Sequence, residues 1–266
     1  MVPKLKDILD LLEKIAPSDL AEPWDNPGLQ VGCYSQEISK ISVCLDPTMK
    51  AIRSAQRGSA QLLLTHHPLI FKPLSRLDID SFPGNVIVEA VKSGVSIVAA
   101  HTNLDVAKGG INDVLAGLLG LQNVEVLARS EKGGGTGLGR IGDLPRPVKL
   151  ASVAKDVKRI LGTRVLKFIG PEDMDIHRLA VVGGSGGDLA HMAFERGADL
   201  LLTGDVSHHH ALEAKALGIA LMDGGHFRTE KAAFRVIADH LRDVVRAEEW
   251  EVEIEVDEDE EDPMLI

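Results

Sequence analysis

Residues 41–65, ISVCLDPTMKAIRSAQRGSAQLLLT, decide the fold because they recur. Residues 178–203, RLAVVGGSGGDLAHMAFERGADLLLT, run in the same order: apolar strand, helical stretch, Arg-Gly, then a leucine strand ending in Thr. A strand, a crossover and a second strand make a βαβ unit with parallel strands. The similarity continues through SGVSIVAAHTNLD (93–105) and LGIALMDGGHFRTE (217–230). Each contains a glycine, an apolar strand, and a His followed four residues later by a carboxylate: His101 with Asp105, His226 with Glu230. The simplest account is an α/β fold of two similar three-layer lobes related by an internal duplication. The expected lobes are 1–127 and 128–247, with 248–266 an edge strand (WEVEIEV) and an acidic tail.

Open α/β sheets bind ligands beyond the carboxyl ends of their strands, and the polar groups collect there. In LLLTHHPLIF (62–71) a leucine strand ends in His66 and His67. Adjacent strand side chains point to opposite faces, so neighbouring imidazoles at a strand exit can each serve a different partner. Together with His101, Asp105, His226 and Glu230 they exceed what one tetrahedral ion requires. Imidazole and carboxylate suit Zn, Fe, Mn, Co or Ni, and six groups suit two ions about 3.5–4 Å apart.

Each group has a plainer reading. His101 and Asp105 could be a satisfied buried pair, and Glu230 could favour a helix N-terminus. His208, His209 and His210 could be a solvated first helical turn, or one of them could carry protons near the site. GGSGGD (183–188) could cradle phosphate but lacks the P-loop lysine, and a tight turn explains it as well. Thr229 is a possible cap for a long helix, HFRTEKAAFRVIADHLRDVVRA. SEKGGGTGLGRIGDLPRP, within the join at 123–150, reads as a linker or mobile loop before a short strand.

Composition excludes several classes. The 266 residues are 44% apolar and 26% charged, an ordinary globular balance. No apolar run approaches the ~18–20 residues of a membrane span. MVPKLKDILDLLEKIAP is amphipathic and carries acids, unlike a secretory signal. Cys33 and Cys44 are too few for a disulfide framework, so a cytoplasmic setting is expected. Residues 248–266 hold 11 acids and no base; 40 acids less these 11 leaves 29, matched by 29 Lys and Arg. A neutral globular part gives no electrostatic footprint for nucleic acid. The acidic run 257–262 is expected to keep a tail solvated.

DNPGLQVG (25–32), CLDPT (44–48), LTHHPLIF (64–71), HTNLD (101–105), GLGRIGDL (137–144), LLLTGD (200–205) and GHFRTE (225–230) occur in one order. From about residue 5 to residue 247 the chain resembles the Nif-three-like family, whose members often carry the name GTP cyclohydrolase I type 2 homologue. The resemblance implies a toroidal homohexamer of two-lobed chains with a dinuclear metal site between the lobes. Its ligands would be His66, His67, Asp105, His226 and Glu230, the last shared by both ions. His101 would be a near neighbour binding water or substrate. The short join marks the compact form without an inserted domain; the acidic tail departs from the usual ending.

The expected activity is metal-dependent hydrolysis of a nucleotide-like or phosphorylated small molecule by a metal-bound hydroxide, with His101 or His208 moving protons. The alternative is a hexameric metal-binding scaffold or regulatory protein with little catalysis.

Overall fold

The computed structural model describes residues 1–130 and 135–264, which form two compact units. The first comprises Met1–Leu104 and Phe234–Glu261; the second comprises Asp105–Ala233 and the piece from Asp262.

In the first unit the chain runs α1 (Leu5–Ile15), β1 (Gly28–Val31), β2 (Lys40–Cys44), α2 (Met49–Arg57), β3 (Leu62–Thr65), α3 (Gly84–Ser93) and β4 (Ser96–Ala99). Helix α4 (Thr102–Val106) then carries it into the second unit. There follow α5 (Ile111–Leu118), β5 (Gln122–Arg129), β6 (Gly137–Lys149), α6 (Leu150–Leu161) and β7 (Lys167–Ile169). Next come β8 (Asp175–Ser185), α7 (Ala190–Glu195), β9 (Leu200–Gly204), α8 (His208–Leu217) and β10 (Ala220–Asp223). Helix α9 (His226–Ala247) returns the chain to the first unit, where β11 (Glu253–Val256) closes it.

Among the described residues the first unit holds a five-stranded sheet in the order β1-β4-β3-β2-β11. Strands β4, β3, β2 and β11 are parallel neighbours and β1 is antiparallel to β4. Every residue of LLLT (62–65) is buried, as expected of a parallel strand covered on both faces. Cys44, Leu63 and Ile97 pack with Ile52 of α2 and Val86 of α3. Val43 and Leu64 line a small apolar cavity with Leu12 of α1 and Phe234, Ala238 and Leu241 of α9. The result is helix, sheet, helix.

The second unit's sheet runs β5-β6-β8-β9-β10-β7 among the described residues. Strands β8, β9 and β10 are parallel and β7 is antiparallel to β10. Ala180, Val182, Leu201 and Leu221 pack with Ala193 of α7 and Ala214 of α8.

Several expectations change. The division at 127/128 does not describe the units, because α5 packs on the second sheet and most of α9 on the first. A Cβ on Gly183 would meet Ile111 and Leu115, so α5 sits directly on β8. The Gly- and Pro-rich join is a hairpin: β5 and β6 pair from Gln122↔Asp143 to Arg129↔Gly137. Pro145 and Pro147, which cannot donate to a ladder, fall where the β6–β8 register shifts, between Asp143 and Val148. The part of the expected mobile loop at 131–134 lies outside the described residues. Buried Arg140 fastens this hairpin, donating to Asp113 Oδ2 at 3.0 Å and to the carbonyls of Gly137 and Gly139 at 2.8 and 2.9 Å.

β11 is an edge strand as expected, but the acidic run is more than a solvated tail. Asp257 donates its N–H to Val43 O at 2.8 Å, and Lys50 Nζ holds Asp259 O at 2.6 Å. Glu258 pairs with Arg235. A charge count cannot reveal this, because the partners are spread through the chain. Among the described residues no helix is long and apolar enough to cross a membrane.

Candidate metal centre

In the first unit, β3 ends at Thr65, so His66 and His67 lie past the strand and its alternation no longer separates them. Thr65 Oγ1 donates to His67 O at 2.8 Å and tightens the bend. The two rings lie 5.1 Å apart, and each is within 5.5 Å of the His101 ring, which arrives just after β4. One nitrogen from each of His66, His67 and His101 falls within 4.8 Å of the others. The three imidazoles therefore converge beyond the ends of β3 and β4.

Each ring is held through the same atom. His66 Nδ1 lies 2.8 Å from Ala100 O, His67 Nδ1 2.8 Å from Asp46 Oδ1, and His101 Nδ1 2.7 Å from Asp25 Oδ1. These acceptors place the proton of a neutral ring on Nδ1 and its lone pair on Nε2. A metal-ligating imidazole is oriented in this way. Asp25 also accepts from Thr102 N at 3.1 Å and from the Thr102 hydroxyl. Burial works to raise its carboxyl, but the hydrogen bonds from His101 and Thr102 outweigh this and pull it from 3.8 to about 2. Asn103 Oδ1 accepts the His101 N–H at 2.9 Å, while its Nδ2 donates to Ala16 O at 2.7 Å.

In the second unit, His226 opens α9 and Glu230 follows one turn later on the same helix face, with His226 Nε2 3.1 Å from Glu230 Oε1. His226 Nδ1 lies 2.7 Å from Asp205 Oδ2, just after β9. The hydrogen bond to Glu230 raises the imidazole against the opposing effect of burial, and Asp205 adds to it, taking the group from 6.5 to about 9. Glu230 is 3% exposed, and a buried carboxylate needs a positive neighbour. A proton on His226 supplies that charge in the metal-free protein, and a divalent ion would supply it equally.

Gly184 makes room for this carboxylate. Its φ is +64°, and a Cβ there would lie 2.3 Å from Glu230 Oε1. The backbone N–H groups of Gly183 and Gly184 donate to Asn112 Oδ1 and Thr229 Oγ1 at 2.9 and 3.0 Å. GGSGGD is thus the end of β8 leading into a single 3-10 turn (Gly187–Leu189), and its first two N–H groups are engaged internally, not turned to phosphate. Thr229 is no cap: it lies inside α9, fully buried. Asn112 Nδ2 also donates to Asp105 O at 2.9 Å, which fixes buried Asp105 at the end of α4.

His208 is exposed in the first turn of α8, its ring 6.1 Å from that of His209. Among the described residues it makes no hydrogen bond to the ligand candidates. His210 instead caps α8 reciprocally with Ser207. The orienting carboxylates Asp25, Asp46 and Asp205 are absent from the sequence-derived site. Their signal was available: each stands within a quoted motif, DNPG, CLDPT or LLLTGD.

The donor sets fit a divalent cation: imidazoles presenting Nε2 in the first unit, and a His–carboxylate pair demanding positive charge in the second. The family description Duf34/NIF3 (NGG1p interacting factor 3) matches residues 3–263. A GTP cyclohydrolase 1 type 2 homolog of Clostridium perfringens is 34% identical over 260 residues, covering 98% of each chain. A protein of the same name from Clostridium acetobutylicum is 36% identical over 239 residues, covering 90% of this chain and 89% of its own. A crystal structure of a Bacillus cereus protein related to NIF3 superposes with a TM-score of 0.94 at 27% identity, covering 100% of both chains.

Proposed function

Because the chain belongs to the Duf34/NIF3 (NGG1p interacting factor 3) family, we propose that it is a metal-dependent hydrolase of the GTP cyclohydrolase 1 type 2 kind. His66, His67, Asp105, His226 and Glu230 would hold two divalent cations. The observation that carries the reading is the shared orientation of the imidazoles, each with Nδ1 on an oxygen acceptor. That these residues act as one set is part of the proposal and rests on the family resemblance. We also read the shared run β1-β4-β3-β2 and β7-β10-β9-β8, in each case one antiparallel strand followed by three parallel ones, as an internal duplication.

Such cations would supply Lewis acidity, polarising a substrate oxygen and making water a better nucleophile. The chain's own residues do the rest. His101, held through Nδ1 by Asp25, offers Nε2 to take or return a proton at the leaving group. Asp25 stays ionised across the working range and stabilises the imidazolium that forms. His208, exposed three residues beyond Asp205, can exchange protons with solvent.

A planar heterocyclic substrate is favoured by Trp24 and Phe71, which are 58% and 43% exposed. Their rings lie 5.7 Å apart and 6.1 and 6.4 Å from His101. In a chain with two Trp, one Tyr and six Phe, this is a concentrated stacking surface beside a proton carrier. Self-association into the homohexamer implied by the resemblance belongs to the same proposal. Exposed Leu77, Ile79 and Phe82 are apolar surface for it to cover.

The test is a turnover screen of metal-loaded protein over GTP, other nucleotides and phosphoesters. The reading expects turnover with at least one, lost in Asp105→Ala and Glu230→Ala. Metal-loaded protein inert to the whole panel would instead favour a metal-binding scaffold.

A further inference from the structure

The acidic run at 257–262 is the feature that the proposed chemistry does not use, yet its best-anchored side chain reaches toward that chemistry. Glu260 Oε1 accepts two consecutive backbone N–H groups, Leu45 at 2.8 Å and Asp46 at 2.7 Å. These are the residues that follow β2, where the sheet's own ladder ends. Asp46 is the carboxylate whose Oδ1 holds His67 Nδ1 at 2.8 Å. The segment carrying Glu260 is tied on either side: Asp257 N–H to Val43 O at 2.8 Å, Lys50 Nζ to Asp259 O at 2.6 Å and to Glu261 at 3.3 Å.

We infer that Glu260 is a positioning residue for His67, acting through the Leu45–Asp46 backbone. One carboxylate bridging successive N–H groups fixes the peptide planes on both sides of Leu45. Those planes set where the Asp46 side chain starts. Without that anchor the two N–H groups turn to water and Asp46 gains rotamers that no longer meet His67 Nδ1. The imidazole then loses its preference for the Nδ1–H tautomer, and with it the Nε2 lone pair in the ligand direction. Charge-assisted bonds from backbone N–H to carboxylate are about twice as strong as neutral ones, so Gln, which keeps an oxygen but not the charge, should retain part of the effect.

Two measurements test this on the full chain with Glu260→Ala, Glu260→Gln and Asp46→Ala. The first is the 15N shift pattern of the His67 ring in metal-free protein, which does not depend on the proposed function. It should report one tautomer in the wild type, a mixture in Glu260→Ala and an intermediate pattern in Glu260→Gln. The second is calorimetric Zn²⁺ binding, which rests on the metal reading. Glu260→Ala should weaken it about tenfold, the low end for residues that orient a ligand. In the Asp46→Ala background Glu260→Ala should add nothing further, because both act through one path. A residue that merely held down the tail would alter stability and leave tautomer and affinity unchanged; that result, or full additivity in the double variant, would overturn the inference. A wild-type protein that binds no Zn²⁺ would defeat the proposed function, while the tautomer pattern would still decide the role of Glu260.

Discussion

Replacing Gly184 by Ala puts a single methyl group where the structure leaves room for Glu230. Two costs add. A non-glycine residue in the left-handed region costs about 1–2 kcal/mol, and Gly184 has φ +64°. The new Cβ would lie 2.3 Å from Glu230 Oε1, so the buried carboxylate must leave its rotamer and its partner His226. Breaking a buried pair costs about 3–5 kcal/mol, and partial relaxation would recover some of that, giving a total of about 3–5 kcal/mol. Gly162 is the control in the same unit: it closes α6 at φ +62° with nothing within 4 Å of its Cβ position. Gly162→Ala should therefore cost only the backbone contribution, about 1–2 kcal/mol. Urea unfolding of the metal-free variants measures both. Equal losses, with Zn²⁺ binding intact in Gly184→Ala, would show that the close approach to Glu230 has no energetic consequence and refute the reasoning.

Three further outcomes are expected. The folded pKa of His226 is raised from 6.5 to about 9, so its stabilisation is fully present below about 6.5 and lost as pH rises through 9. The undiscounted linkage of about 3 kcal/mol shrinks to about 1–2 because 35% of the ring is exposed; metal-free wild type should weaken over that range and His226→Ala should not. Asp25 moves the other way, from 3.8 to about 2. Its contribution of about 2 kcal/mol holds above 3.8 and disappears as pH falls through 2, so Asp25→Asn should flatten the acid limb of the stability profile. Arg140→Ala, which removes the ion pair to Asp113 and the donors to the carbonyls of Gly137, Gly139 and Ala107, should cost about 3 kcal/mol in urea, and Arg140→Met less than Arg140→Ala.

The parallel strands were legible because both faces of each sheet are covered, so LLLT at 62–65 and at 200–203 reads as an unbroken apolar run. Helix α9 was legible from its apolar spacing, though its start was not, since Thr229 reads as a cap but lies inside it. The ligand candidates were legible because they follow those strands. Their orientation was not: period and spacing locate His67 but do not say that Asp46, 21 residues earlier, takes its Nδ1–H. The convergence of His66 and His67 with His101 was not legible either, because both follow the strand's end at Thr65, where alternation no longer fixes direction. The hairpin of β5 and β6 was hidden by glycines that read as linker. Gly137 is required there for a different reason, since a Cβ would meet Ala128 O at 2.1 Å. The tail was misread because composition weighs charge without its partners. Glu260 is satisfied by two backbone N–H groups, and no count of Lys and Arg reveals them.

The most direct test of the central claim is diffraction at a metal absorption edge from crystals of protein purified without added metal, paired with elemental analysis of the same sample. The account predicts about two ions per chain, with Nε2 of His66, His67 and His226 at about 2.0–2.1 Å if the metal is zinc. Metal-free crystals that take up no ion on soaking, or ions bound through Nδ1, would contradict it.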